Sequence, residues 1–154
     1  MTPTLRPAAR DDLHAVANVV RAAYSRYVAR LGREPGPMGD DYAAQIEAGH
    51  VHVAEHDSAV KGVLVLIPGK SGMLVHNVAV SPHAQGLGLG RALLEFAERA
   101  AMESGYRSIE LYTNEAMTEN IGLYSRIGYI ETHRAEEKGL RRVYMSKPLS
   151  KEAR

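Results

Sequence analysis

Apolar residues recur along this chain in two periods, and the changes from one period to the other mark its elements. Thr4-Leu5-Arg6 reads as a short strand that Pro7 ends. From Asp11 onward, Leu13, Val16, Val20, Ala23, Tyr24, Tyr27 and Leu31 fall on one stripe of a 3.6-residue repeat, which predicts a long amphipathic helix. Asp11 and Asp12 stand in its first turn, where the helix dipole favours carboxylates. Gly32 to Pro37 is a turn-rich loop, after which Asp40 and Asp41 open a shorter helix through Tyr42, Ala43 and Ile46 that Gly49 closes.

The period then drops to two. His50 to Glu55 alternates, with Val51 and Val53 on one face and His50 and His52 on the other, which reads as the solvent face. Asp57-Ser58 is a hairpin turn, and Gly62 to Ile67 is nearly continuous Val and Leu, as in a strand covered on both faces. Pro68 to Gly72 turns the chain into a strand from Met73 to Val80. Leu89, Leu93, Phe96, Ala97 and Ala100 restore the helical period until Gly105. A strand from Ile109 to Thr113, a helix from Met117 to Ile127 stopped by Gly128, and strands at Tyr129–Thr132 and Arg142–Met145 complete the series. Ser150 to Arg154 reads as a frayed tail. The predicted order is β-α-α-β-β-β-α-β-α-β-β. With no repeat, low-complexity run or linker, residues 1–154 read as one α/β domain.

Chemistry first shows between Val80 and Leu93. Ser81-Pro82 stops the strand, because proline has no amide proton for a sheet ladder. Gly86, Gly88 and Gly90 follow, and a helix begins at the last of them. A strand, a glycine turn and a helix N-terminus together make an anion site: first-turn amides have no helical acceptor, and glycine lets a phosphate reach the backbone. A dinucleotide fingerprint needs G-x-G-x-x-G, and counting from Gly86 or Gly88 the last glycine is missing. A Walker A loop needs Gly-Lys-Ser/Thr, which the sequence lacks. Gln85-x-x-Gly88-x-Gly90 followed by an apolar helix remains.

Composition narrows the field. With 154 residues, 45% hydrophobic and 24% charged, the chain suits a globular domain, and a net charge of +1 gives no bulk case for nucleic acid or an anionic membrane. The absence of cysteine removes disulfides, thiolate metal sites and cysteine nucleophiles. The start, Met-Thr-Pro-Thr-Leu-Arg-Pro, carries no apolar signal region and no run reaches membrane-spanning length, so a cytoplasmic location is expected.

The glycine turn resembles the pyrophosphate-binding turn of the GNAT superfamily of N-acetyltransferases. A second stretch agrees: Asn120-Ile-Gly-Leu-Tyr124-Ser-Arg-Ile-Gly128-Tyr129 is similar to that family's A-x-x-L-Y-x-x-x-G-F/Y helix ending. The element order matches over essentially the whole chain. The resemblance implies a mixed, mostly antiparallel sheet splayed at a cleft for acetyl-coenzyme A (acetyl-CoA), flanked by helices. It implies that Gln85, Gly86, Leu87, Gly88, Gly90 and Arg91 surround the pyrophosphate, and that backbone groups of Val78, Ala79 and Val80 meet the pantetheine arm. The amide of Val78 would donate to the thioester carbonyl as it becomes an oxyanion.

Tyr124 is then the candidate general acid for the leaving thiolate, with Asn120 one turn earlier on the same helix face. The asparagine common seven residues before this tyrosine is Met117 here, and Asn120 is the candidate substitute. Where many family members carry a glutamate in the strand before the turn, this chain has His76, flanked by Asn77. An imidazole can take a proton from an amine directly or through water, although a lone strand histidine is also a common structural residue. A base is needed because amines attack only when neutral, and a lysine-like amine titrates near 10.4.

The acceptor pocket implied by the resemblance is lined by Tyr24, Tyr27, Arg33, Tyr42, Asn77 and residues near Arg134, with Arg33 able to grip a carboxylate bidentately or to stand solvated. His14, His50, His52, His56, His83 and His133 show no metal spacing, and Glu136-Glu137-Lys138 before Gly139 reads as a charged turn. No metal is expected. The function implied is transfer of acetyl from acetyl-CoA to a primary amine of a small molecule, an amino acid or related amine, by direct attack in a ternary complex. Acetylation of a protein N-terminus or lysine is the alternative enzyme, and a non-catalytic acyl-CoA sensor the alternative outside enzymology. A homodimer is compatible with each.

Overall fold

In the computed structural model, which describes residues 3–32 and 36–149, the chain runs β1 (Thr4–Pro7), α1 (Leu13–Leu31), α2 (Tyr42–Glu47), β2 (Val51–His56), β3 (Ala59–Pro68), β4 (Met73–Val80), α3 (Leu89–Glu103), β5 (Ser108–Asn114), α4 (Thr118–Arg126), β6 (Ile130–Glu137) and β7 (Leu140–Pro148). This is the predicted order. The hydrogen-bonded strand order is β1-β2-β3-β4-β5-β7-β6, a mixed α/β sheet in which β4 and β5 are parallel. The Cα packing forms two units: residues up to Leu66 with Asn77–Ala97, and Ile67–His76 with the chain from Glu98 onward. Ser150 to Arg154 lie outside the described residues. Among the described residues no helix is long and apolar enough to cross a membrane.

In the first unit β1, β2 and β3 form an antiparallel meander, with Thr4 opposite Glu55 and Val51 opposite Val65. Asp57 and Ser58 join β2 to β3 with φ of 54° and 65°, the left-handed pair that a tight two-residue hairpin needs. The predicted stripe of α1 supplies Val16, Val20, Ala23, Tyr24 and Tyr27 to the core, alongside Val51, Val53 and Val63 to Val65. Gly62 has a packing role: a Cβ there would stand 3.0 Å from Leu93 Cδ1 and 3.2 Å from Ala54 Cβ. Its missing side chain lets α3 settle on β3, with Leu93 and Leu94 fully buried. Each such leucine contributes about 1.5–3 kcal/mol of burial.

The face carrying His50 and His52 is not a solvent face at His52. Its ring lies 4.8 Å from that of Phe96, because α3 covers this side of β2, and burial lowers its pKa. Asp12, expected only to meet the helix dipole, takes a bidentate pair from Arg6 at 2.8 and 3.0 Å and accepts from the amide of Ala9 at 2.7 Å. It ends a short 3-10 turn, Arg10–Asp12, and stands as the N-cap of α1.

In the second unit β4 pairs with β5 over Met73–Val75 and Ile109–Leu111, β5 with β7 from Ser108 opposite Pro148 to Asn114 opposite Arg142, and β6 with β7 from Ile130 opposite Ser146 to Glu137 opposite Leu140. The last two strands are longer than predicted. Nearly every residue of β6 is exposed, so this sheet-edge strand shows no apolar alternation to read. Ile109, Leu111, Met117, Val143 and Met145 form the apolar interior, and Lys147 Nζ sits 3.0 Å from both carboxylate oxygens of Glu98.

Candidate active site

β4 alternates strictly. Met73, Val75, Asn77 and Ala79 are buried, while Leu74, His76, Val78 and Val80 are half-buried on the other face. The side chains of Val78 and Val80 are therefore not closed in the core, and only Ala79 of that triplet is. After Val80 the amide of Ser81 donates to Lys61 O at 2.8 Å, and Pro82 opens one 3-10 turn through Ala84.

The next residues are those the sequence suggests as an anion cradle. Gln85 is extended and its Nε2 donates to Val80 O at 3.3 Å. Gly86 and Gly88 have φ of +88° and +83°, with the exposed Leu87 between them. L-residues are strained there, and alternating hand along a turn points successive amides to one side. A Cβ built on either glycine meets no atom within 4 Å, so the space beside this turn is open rather than crowded. The first helical bond beyond it, from Ala92 N to Gly88 O at 3.0 Å, leaves the preceding amides at the positive end of a fifteen-residue helix. Gly90 is half-buried in the first turn and Arg91 is exposed. The turn thus fits a pyrophosphate group by its open shape, its donors and its field.

Tyr24, Tyr42 and Asn77 meet in the same unit. Tyr24 Oη donates to Asn77 Oδ1 at 2.7 Å and lies 3.2 Å from Val78 O. Asn77 Nδ2 donates to Tyr42 Oη at 2.8 Å, and Tyr42 Oη donates to Pro37 O at 2.6 Å. All three side chains are buried. Burial, with Asp40 nearby, drives the Tyr42 phenol far above its ordinary pKa, against the opposing effect of Asn77, and keeps it protonated. Tyr27 is also buried, its hydroxyl accepting from Arg26 Nη2 at 3.0 Å and its ring flanked by the guanidinium groups of Arg26 and Arg30. Of the acceptor-pocket residues named from the sequence, Arg33 lies outside the described residues.

His76, Asn120 and Tyr124 belong to the second unit. His76 is half-buried, with its ring edge-on to Tyr112 at 6.4 Å, and Arg142 lies over the other ring at 4.5 Å from its centroid. Tyr124 is buried on α4, its ring edge-on to that of Tyr129 with centroids 5.9 Å apart. Tyr129 Oη has no hydrogen-bond partner among the described residues, and burial, chiefly, raises its pKa. Met117 caps α4 and is buried, its sulfur accepting from Thr113 Oγ1 at 3.4 Å and Asn120 Nδ2 at 3.9 Å. Arg134 is exposed and held by Glu131 at 2.8 Å and Glu115 at 3.4 Å. The Asn77 network carried no motif. Its only trace in the sequence was an asparagine on the apolar phase of a strand, a position where a polar side chain needs buried partners.

Comparison with known proteins adds to this geometry. The model of the family described as "Acetyltransferase (GNAT) domain" matches residues 47–131, just over half of the chain. A mycothiol acetyltransferase of Arthrobacter sp. (strain FB24) is 38% identical over 55 residues, 36% of this chain and 17% of the relative. The chain thus matches about a sixth of that curated relative's length. Among solved structures, the PaiA N-acetyltransferase of Thermoplasma acidophilum in complex with coenzyme A superposes with a TM-score of 0.81 at 16% identity, covering 96% of this chain and 99% of that one. The ribosomal-protein-S18-alanine N-acetyltransferase of Escherichia coli gives 0.78 at 18% identity, covering 97% and 95%. At these identities the two structures show a shared fold.

Proposed function

The chain belongs to the GNAT acetyltransferase family, and on that premise we propose that it transfers the acetyl group of acetyl-CoA to the primary amine of a small molecule, an amino acid or related amine. The observation that carries this reading is the open turn at Gly86 and Gly88, whose positive φ and empty Cβ positions suit a backbone-bound pyrophosphate. Acetyl-CoA supplies an acyl carbon already activated as a thioester.

The residues divide the work. Gln85, Gly86, Leu87, Gly88, Gly90 and Arg91 hold the pyrophosphate, and the backbone of Val78 to Val80 meets the pantetheine arm. The Val78 amide donates to the thioester oxygen where negative charge gathers, an effect worth roughly 10²–10³ in rate. His76 takes the proton that the attacking amine gives up, and Tyr124 gives its phenolic proton to the sulfur as the carbon–sulfur bond breaks. The new bond joins the amine nitrogen to the acetyl carbon. A cysteine-free chain offers no thiol to carry the acetyl group between the two substrates, so direct attack in a ternary complex fits.

The mycothiol acetyltransferase match favours a small acceptor. Acetylation of peptide N-termini is the second reading, favoured by the superposition on the ribosomal-protein-S18-alanine enzyme. Purified protein with acetyl-CoA is offered a panel of amines, free amino acids and short peptides, and released thiol is measured. Thiol release with free amines or amino acids is expected. Release with peptides alone moves the acceptor to proteins, and tight acetyl-CoA binding with no release from any acceptor makes the chain a sensor.

A further inference from the structure

We infer that Tyr24, Asn77 and Tyr42 are positioning residues that couple the loop at Pro37 to the backbone at Val78, so that the loop between the first two helices and the oxyanion-binding strand are set together. This rests on the reading of the Val78 amide as the oxyanion donor. Asn77 is a neutral polar side chain on the apolar phase of β4, with only 3% of its surface exposed. Such a group costs stability unless its donors and acceptor are engaged.

The direction of the network follows from its chemistry. Pro37 O can only accept, so Tyr42 gives it its single proton across 2.6 Å. The Tyr42 oxygen must then accept from the third member, which places Nδ2 of Asn77 on that side at 2.8 Å. Asn77 Oδ1 consequently faces Tyr24, whose hydroxyl donates to it at 2.7 Å. That same hydroxyl is 3.2 Å from Val78 O. One phenol therefore touches the side chain of residue 77 and the carbonyl of residue 78, and the amide of Val78 lies between those two anchors. At the other end, the network holds Pro37, in the 3-10 turn Gly36–Gly39 that precedes α2. No member carries charge, so the coupling does not depend on salt or on ordinary pH.

The chain from Pro37 through Asn77 to Val78 can be cut with little change of volume at either phenol, and the Tyr42 hydroxyl is the end next to Pro37. Tyr42→Phe removes the link to Pro37 and leaves Asn77 Nδ2 unpaired. The test is amide hydrogen exchange on the full-length protein, read separately at residues 36–41 and at residues 77–80, together with steady-state kinetics on the best amine and acetyl-CoA binding. The expected result is faster exchange at both segments, roughly three- to tenfold, the range that one lost hydrogen bond supports. The acceptor KM should rise and kcat fall together, with acetyl-CoA affinity within about twofold of the parent. Faster exchange at 36–41 with residues 77–80 unchanged overturns the coupling.

Tyr24→Phe cuts the network from its other end and must give the reciprocal result, with exchange at 36–41 responding to a change beside Val78. If Tyr42→Phe does not fold, this variant decides alone. Because exchange is read on the protein without substrate, a coupled response in a chain that acetylates nothing would uphold the coupling and reject the proposed activity.

Discussion

The amide of Ala92 donates to the carbonyl of Gly88 at 3.0 Å, so α3 takes its first hydrogen bond from a residue held at φ +83°. The residue that starts the helix is thus the one whose backbone an ordinary side chain would strain. Gly88→Ala meets no steric obstacle, since nothing lies within 4 Å of a Cβ there. Its whole cost is conformational, about 1–2 kcal/mol. Thermal or denaturant unfolding of the variant should show that loss, and Gly86→Ala, at φ +88°, a similar one. Unchanged stability in both would mean that the turn is not held in this conformation.

Tyr124 and Tyr129 are ring neighbours at 5.9 Å with opposite expected roles. If Tyr124 gives its proton to the leaving sulfur, Tyr124→Phe should lower kcat about 10²-fold or more, with acetyl-CoA binding retained. Tyr129→Phe removes a buried hydroxyl that has no partner among the described residues. It should leave turnover unchanged and stabilise the fold by about 1–3 kcal/mol. Steady-state kinetics and unfolding of both variants check the pair. A kcat that follows Tyr129 rather than Tyr124 would reverse the assignment.

His76 stands half-buried, edge-on to Tyr112, in the strand that leads to Val78. If it takes the proton of the attacking amine, His76→Gln lowers turnover and alters the acidic limb of the pH–rate profile. An unchanged profile would leave His76 as a packing residue and pass the proton to water.

Arg6 and Asp12 set a pH dependence of stability. The bidentate hydrogen bonds from Arg6 hold the Asp12 carboxyl below its ordinary pKa of 3.8, against the opposing effect of burial. A carboxyl whose folded pKa is depressed binds its proton more readily when unfolded, so its contribution is complete above the ordinary value. It is lost as pH falls through the lower, folded one. Unfolding free energy should fall below about pH 4, and Asp12→Asn should flatten that fall while costing of order 1 kcal/mol at neutral pH, because water screens the Arg6 side of the pair. Equal acid slopes in parent and variant would contradict this.

The element order and the glycine turn were legible because each rests on a local rule. The stripe from Val16 to Tyr27, the alternation at Val51 and Val53 and the stop at Pro82 need no knowledge of distant residues. Three features did need it. His52 reads as exposed on its own strand and is covered only because Gly62 lets α3 approach. The strand Ile130–Glu137 gains its length from pairing with β7, while its residues stay polar and exposed at the sheet edge. Asn77, Tyr24 and Tyr42 were named from the sequence as acceptor-facing residues, and the structure shows their polar atoms turned toward one another. A hydrogen-bond network joining residues 35 and 53 positions apart has no local signature.

Titration of acetyl-CoA into the parent protein and into Gly88→Glu, by calorimetry, tests the central claim most directly. A carboxylate at Gly88 occupies the open cradle and repels a pyrophosphate, so the parent should bind and the variant should not, while both unfold cooperatively. Equal binding by the two proteins would contradict the assignment of this turn, and with it the reading of the chain as an acetyl-CoA-dependent transferase.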